Sequence, residues 1–175
     1  EDRSLIVFKH QGYLNKNWLT SFNINKVSDN RYFQELGTNL SVASISHLEQ
    51  RGDLYYKGNG WVGIGRLQKF QTLSDNPAAR PYQRLPQLIF KTKLPEVNKS
   101  LNIKLNAEIV RFDRDTKIVN APVGNRLDLK SDFSWPQRTS GSFIIPALSL
   151  RYTNYNLDNV KDGDNNPDRL LYTFS

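Results

Sequence analysis

Residues 101–109 read LNIKLNAEI, and their alternation decides the fold class. Leu101, Ile103, Leu105, Ala107 and Ile109 fall on one side of an extended chain and Asn102, Lys104, Asn106 and Glu108 on the other, because successive side chains of a strand point to opposite faces. One face is apolar and the other is wet. The same period of two sets Trp18, Phe22 and Ile24 against Ser21, Asn23 and Asn25. It sets Leu127, Leu129, Phe133 and Trp135 against Asp128, Lys130 and Asp132, and Ile144, Leu148, Leu150 and Tyr152 against Ala147, Ser149, Arg151 and Thr153. The 3.6-residue spacing of an amphipathic helix is almost nowhere to be found, so the chain reads as all-β. The spacing predicts strands over 4–12, 17–27, 40–56, 61–73, 84–94, 101–113, 125–135 and 142–155, with a ninth beginning near Leu170.

The predicted connections alternate in length. Short turns at 13–16, 57–60, 95–100 and 136–141 interleave with long loops at 28–39, 74–83, 114–124 and 156–168. In an up-and-down antiparallel meander this gathers the short turns at one end and the long loops at the other, the layout of an outer-membrane β-barrel. Greek-key sandwiches have less reason to keep such order. Trp18, Trp61 and Trp135 all fall at the short-turn end, as expected of one aromatic girdle, since indole rings prefer the membrane interface. Gly63 and Gly65 share the face of Trp61 and make it the weakest member of the set.

Composition narrows the chemistry. The chain has 175 residues, enough for one domain or a piece of something larger. Lys plus Arg number 24 against 17 Asp plus Glu, a net charge of +7 that favours anionic partners. There is no cysteine, which removes disulfides, thiolate metal sites and a cysteine nucleophile from these residues. The start, Glu1-Asp2-Arg3, is not a basic segment followed by an apolar run, so a mature chain or an excised piece is expected. No run approaches the roughly 18 apolar residues of a spanning helix.

Reactive centres find little support. His10 and His47 stand on different predicted strands, without a serine and carboxylate spaced to complete a triad. His47 and Glu49 lack the cysteine pair of a zinc deaminase. Gly63-Ile64-Gly65 lacks the third glycine and the helix of a dinucleotide fingerprint, and reads as a place of close approach or strand bending. DGDNNPD at 162–168 imitates the start of a calcium loop but carries Pro167 where glycine is needed and no closing glutamate. No catalytic residue, metal or cofactor is expected.

Three stretches carry a resemblance: VSDNRYFQELG at 27–37, GRLQKFQTLSDNPAARPYQRLPQL at 65–88 and EIVRFDRDT at 108–116. Together they resemble the barrel domain of the LptD family, the LPS-assembly proteins of Gram-negative outer membranes, and the pattern SDxxYFxxLG is the most specific of them. The resemblance implies that residues 1–175 are part of a single transmembrane barrel domain, about eight strands and the start of a ninth, with no separate second domain. It implies lipopolysaccharide and a plug lipoprotein of the LptE type as partners, a link to the periplasmic transport bridge through a preceding jelly-roll domain, and neither nucleic acid binding nor catalysis. That domain, the strands of the lateral opening and the family's disulfide cysteines would all lie outside this chain. Loop 28–39 would then be extracellular, with Asp29 forming an Asx turn and Tyr32, Phe33 and Leu36 packing back over the barrel mouth.

Work, if any, falls to the polar face. If strands 84–94 and 101–113 pair about the turn PEVNKS, Lys91 and Lys104 point to one side with Lys93 and Asn102 near them and Glu108 further along. Like charges opposed in a sheet cost stability, so this wall is the candidate contact for the phosphorylated head of lipopolysaccharide or for the plug. Solvated lysines of a wet lumen are the plain alternative. Two rival functions stay open: a soluble carbohydrate-binding sandwich, and a general outer-membrane channel.

Overall fold

The computed structural model describes residues 2–37, 40–74, 76–94, 101–116 and 120–175. In chain order they form β1 (Leu5–Tyr13), β2 (Trp18–Val27), α1 (Tyr32–Leu36), α2 (Leu40–Ala43), β3 (His47–Lys57), β4 (Trp61–Thr72) and a 3₁₀ turn (Pro77–Ala79). They continue with β5 (Gln83–Leu94), β6 (Asn102–Asp113), β7 (Val123–Ser134), β8 (Gln137–Arg138), β9 (Phe143–Ile144), β10 (Ala147–Asp158) and β11 (Asp168–Phe174). Nine strands make one antiparallel meander in the order β1-β2-β3-β4-β5-β6-β7-β10-β11, and β8 with β9 form a separate small hairpin. The all-β reading holds, and β1 and β11 stand at the two edges.

Alternation sets the two faces as predicted. Cross-strand register runs Gly65↔Leu88↔Ile109↔Leu127 along one face. On the other face it runs Ile89↔Glu108↔Asp128↔Thr153. The first face keeps its large apolar side chains exposed: Leu88 is 53% and Ile109 54% accessible. We call it outer and the polar one inner.

Three expectations are corrected. Residues 40–46 do not extend β3: Leu40–Ala43 is a single helical turn, closed by Ser44 N–H donating to Leu40 O and by Ser44 Oγ donating to Ser41 O. The stretch predicted as a long loop at 28–39 contains the five-residue α1, in which Glu35 N–H donates to Arg31 O and Gly37 N–H to Phe33 O. The fourth short turn is a longer excursion across 135–146, and residues 142–146 leave the main sheet. Pro136 and Pro146 lack the N–H that a ladder needs, and Thr139 and Ser142 close the β8–β9 hairpin through their hydroxyls at 2.7 Å. The strict alternation of loop lengths ends there. The expected turn at 95–100 lies outside the described residues.

The apolar core sits at the long-loop end. Val27, Leu48 and Leu73 are buried, with Tyr32, Phe33 and Ile45 packed against them. The β2–β3 ladder stops at Ile24↔Gln50, and side-chain amides take over beyond it. Gln71 Oε1 accepts from Val27 N–H at 3.0 Å while Gln71 Nε2 donates to Val27 O at 2.9 Å, and Asn25 Nδ2 donates to Glu49 O at 3.1 Å. Backbone groups that lose a strand partner must be satisfied in some such way.

At β7 the sheet depends on one glycine. Gly124 has φ +147 and stands between Phe112 and Leu157, where a Cβ would land on Asn156 O. Gly124→Ala is expected to destabilise the fold by about 1–3 kcal/mol, the usual cost of a strained backbone site, read as a drop in denaturation midpoint of the full-length protein. An unchanged midpoint would refute it.

Candidate functional site

The inner face divides into two zones of different electrostatic character. Across the middle of the sheet, charges are paired. Asp53, whose side chain is fully buried, accepts from Arg66 Nε at 2.6 Å and Tyr55 OH at 3.1 Å, and lies 3.1 Å from Arg51 Nε. Glu108 accepts from Gln87 Nε2 at 2.6 Å and Arg126 Nη2 at 3.0 Å. Asp128 accepts from Arg151 Nη2 at 2.8 Å and from the Thr153 hydroxyl at 3.1 Å. Gln68 joins this network by donating to Glu49 and accepting from Arg84 Nη1 at 2.9 Å. A carboxylate removed from water needs such donors, and here each carboxylate has at least two.

Toward the short-turn end lysines outnumber carboxylates, and the one ion pair among the described residues there is Lys130–Asp132 at 3.1 Å. One cross-strand row reads Lys57↔Val62↔Lys91↔Asn106↔Lys130 and carries no acid. The next reads Lys93↔Lys104↔Asp132↔Ser149. The residue opposite Lys104 is therefore Lys93, and Lys91 faces Asn106; Lys91 and Lys104 share the inner side as expected, two residues out of register with each other. Lys57, Lys91, Lys93, Lys104 and Asn106 line one concavity of about 350 Å³. Glu108 is not part of it, being held by Arg126 and Gln87, and Asn102 faces Ser134 outside it. The sequence reading missed Lys57 and Asn106. Lys57 could have been placed from the KGNG turn, because a hairpin closed at 58–60 puts it opposite Val62 and hence beside Lys91.

The outer face carries the tryptophans. Trp18 meets Tyr56 with ring centroids 4.7 Å apart, Tyr56 meets Trp61 at 4.8 Å and Trp61 meets Phe90 at 5.5 Å, a continuous aromatic stripe across β2 to β5. Trp135 stands apart, stacked on Phe133 at 6.4 Å. Below the stripe, Gly63, Gly65 and Ala107 leave an apolar groove of about 580 Å³ walled by Leu54, Leu88 and Ile109. Tyr56 and Phe90 complete the stripe because register places them beside Trp61.

The long-loop end is tied down by polar bonds. Asp29 Oδ1 accepts from Arg31 N–H at 3.0 Å in an Asx turn, and Arg3 reaches both Glu35 at 2.5 Å and Asp29 at 3.7 Å. Tyr32 and Phe33 pack on the core, edge to face with each other at 5.3 Å, while Leu36 is exposed outside that cluster. His47 Nε2 bonds Ala79 O at 2.6 Å and holds the 3₁₀ turn. His10 lies on the outer face between Phe8 and Phe22. Among the described residues no group of three His, Cys, Asp or Glu side chains could hold a metal ion. In the 162–168 loop, Asp164 Oδ1 instead accepts from Asn166 N–H at 2.8 Å.

A two-faced meander with this loop text is matched along its whole length by one family model, LptD, LPS transport system D, over residues 1–175. The chain belongs to the LptD family. It is 41% identical over 164 residues to the LPS-assembly protein LptD of Nitrosococcus oceani, an alignment covering 92% of this chain and 22% of that protein. It is 33% identical over 177 residues to the LPS-assembly protein LptD of Alkalilimnicola ehrlichii, covering 100% of this chain and 23% of the relative. With the LPS-assembly protein LptD of Pseudomonas aeruginosa it shares 32% identity over 203 residues, covering 98% of this chain and 22% of that protein. This LptD-family chain thus spans about a fifth of the length of these curated relatives.

Proposed function

We propose that this chain is a stretch of the wall of a transmembrane β-barrel in the Gram-negative outer membrane, within the machinery that assembles lipopolysaccharide in the outer leaflet. The observation that carries the reading is the opposition of the two faces. Soluble proteins rarely expose a contiguous apolar surface larger than a few hundred Å², yet Leu88, Ile109, Leu67, Leu129 and Leu170 all lie exposed on the outer side. Lipid covers such a face without a second sheet. Its strands also have the right reach. β4, β5, β6, β7 and β10 have 12 residues each, about 40 Å of strand, which at a tilt of about 40° rises about 30 Å past an apolar band of about 25 Å.

On this reading the short-turn end faces the periplasm, the aromatic stripe lies at the headgroup level, and α1 and α2 cap the extracellular mouth. The inner face supplies a polar compartment for the sugar of lipopolysaccharide and for a plug lipoprotein, with the periplasmic bridge attached through other parts of the parent protein. Its role is transport and assembly, without catalysis. The apolar outer face and the family's name favour this over a carbohydrate-binding sandwich or a general channel.

Photocrosslinking in living cells tests it, with the probe at Lys104 on the inner face and at Ile103 on the outer face of the full-length protein. Transport-dependent crosslinks to lipopolysaccharide are expected from position 104, and crosslinks to bulk membrane lipid from position 103. Bulk lipid at both positions, or at neither, would refute the orientation.

A further inference from the structure

The basic end of the inner face is a site in its own right. Lys57, Lys91 and Lys93 form no ion pair with any described residue, and Lys104 has Asp132 as its cross-strand neighbour. That carboxylate is already engaged: Asp132 Oδ1 lies 3.1 Å from Lys130 Nζ and accepts from Ser149 Oγ at 2.6 Å. Four ammonium groups therefore converge on one concavity with at most a shared counter-charge. The contrast with the middle of the same face is the informative part. There, Asp53, Glu108 and Asp128 each have an arginine at 3.0 Å or less, so the carboxylates of the inner face are gathered at the arginines and not at these lysines. Lys93 directly opposite Lys104 destabilises the ladder unless something anionic sits between them.

The lining narrows the ligand. Lysines are compact point charges with three donors each, suited to a phosphate approached from several sides. Asn106 adds an amide able to donate to or accept from a hydroxyl, and Trp61 with the backbone at Gly58 and Gly60 forms the rim. A phosphate carried on a sugar fits this lining, which includes Gly58 and Gly60 of the short turn and none of the paired carboxylates. We infer that Lys57, Lys91, Lys93 and Lys104 form a binding site for the phosphorylated sugar head of a glycolipid, at the short-turn entrance of the inner face. It rests on the proposed function, and it assigns the first charged contact on this wall to four residues.

The test uses the full-length protein that contains this chain, purified with its native partners in lipid nanodiscs. It is titrated with lipopolysaccharide and with the same lipopolysaccharide stripped of its phosphates. Replacing all four residues (K57Q, K91Q, K93Q, K104Q) is expected to weaken binding of the phosphorylated form by at least about tenfold, roughly the worth of one charge-assisted hydrogen bond, and to leave the stripped form unaffected. The corresponding four Lys→Arg changes should restore binding, which separates charge from misfolding. No loss in the glutamine variant, or an equal loss for both glycolipids, overturns the site. Protection by inorganic phosphate alone at the same concentration would make the ligand free phosphate and overturn the glycolipid. Loss of a copurifying protein from the variant, with glycolipid binding intact, overturns it in favour of an acidic protein surface. A wild-type protein that binds neither glycolipid removes the proposed function as well, whereas one that binds both alike removes the phosphate site only.

Discussion

Asp53→Ala is expected to destabilise the full-length protein by about 3 kcal/mol, the lower end of the cost of breaking a buried ion pair by removing one partner. The side chain is fully buried on the inner face, and it is the shared acceptor of Arg66, Arg51 and Tyr55. Its loss strands the Arg66 guanidinium, whose side chain is 19% exposed and which has no second carboxylate partner among the described residues. Arg51 is better placed, because Glu49 Oε1 lies 3.4 Å from its Nη1, which is why the lower end of the range applies. Asp53→Asn should cost less, since an amide oxygen can still accept from Arg66 Nε. The check is a double-mutant cycle on denaturant midpoints: Asp53→Ala and Arg66→Ala together should cost less than their sum, because the double variant leaves no stranded charge. Strict additivity would mean that the pair is not coupled, and a single variant within about 0.5 kcal/mol of wild type would put Asp53 among ordinary surface positions.

That pair also marks where the sequence stops being legible. Asp53 and Arg66 each sit on the polar side of their own alternation, but only the register Asp53↔Arg66 brings them together. Alternation fixes which side a residue faces, and it says nothing about which neighbour it meets. For that reason the inner and outer faces of 101–109 could be read directly, while Lys93 opposite Lys104 could not. Residues 40–46 failed for another reason. Leu40 and Val42 flank Ser41 as in a strand, yet Ile45 is recruited to the cluster of Val27, Leu48 and Leu73, and the chain makes one helical turn to deliver it. Tertiary packing overrides local pattern in so short a stretch. The loop text at 27–37 identified a family without revealing its own geometry: the bonds of Arg3 to Asp29 and Glu35 join residues up to 32 positions apart in sequence.

Two neighbouring residues of β5 decide whether lipid or water covers the outer face. Leu88 is exposed there opposite Gly65 and Ile109, while Ile89 lies on the inner face opposite Ile64 and Glu108. Both are near the middle of a 12-residue strand. In a membrane wall, Leu88→Arg puts a guanidinium near the bilayer midplane and should cost about 2–4 kcal/mol. Ile89→Arg enters the polar compartment beside Glu108 and should cost far less. If water bathed both faces, Leu88→Arg would trade one exposed side chain for another and stay within about 0.5 kcal/mol. Sterics do not confuse the comparison, because the groove left by Gly65 admits a long side chain on the outer side. The measurement is the denaturant midpoint of each variant of the full-length protein folded into lipid vesicles. Equal tolerance at the two positions would sink the membrane reading, whereas a loss confined to position 88 would locate the hydrocarbon on the side that alternation marks as apolar.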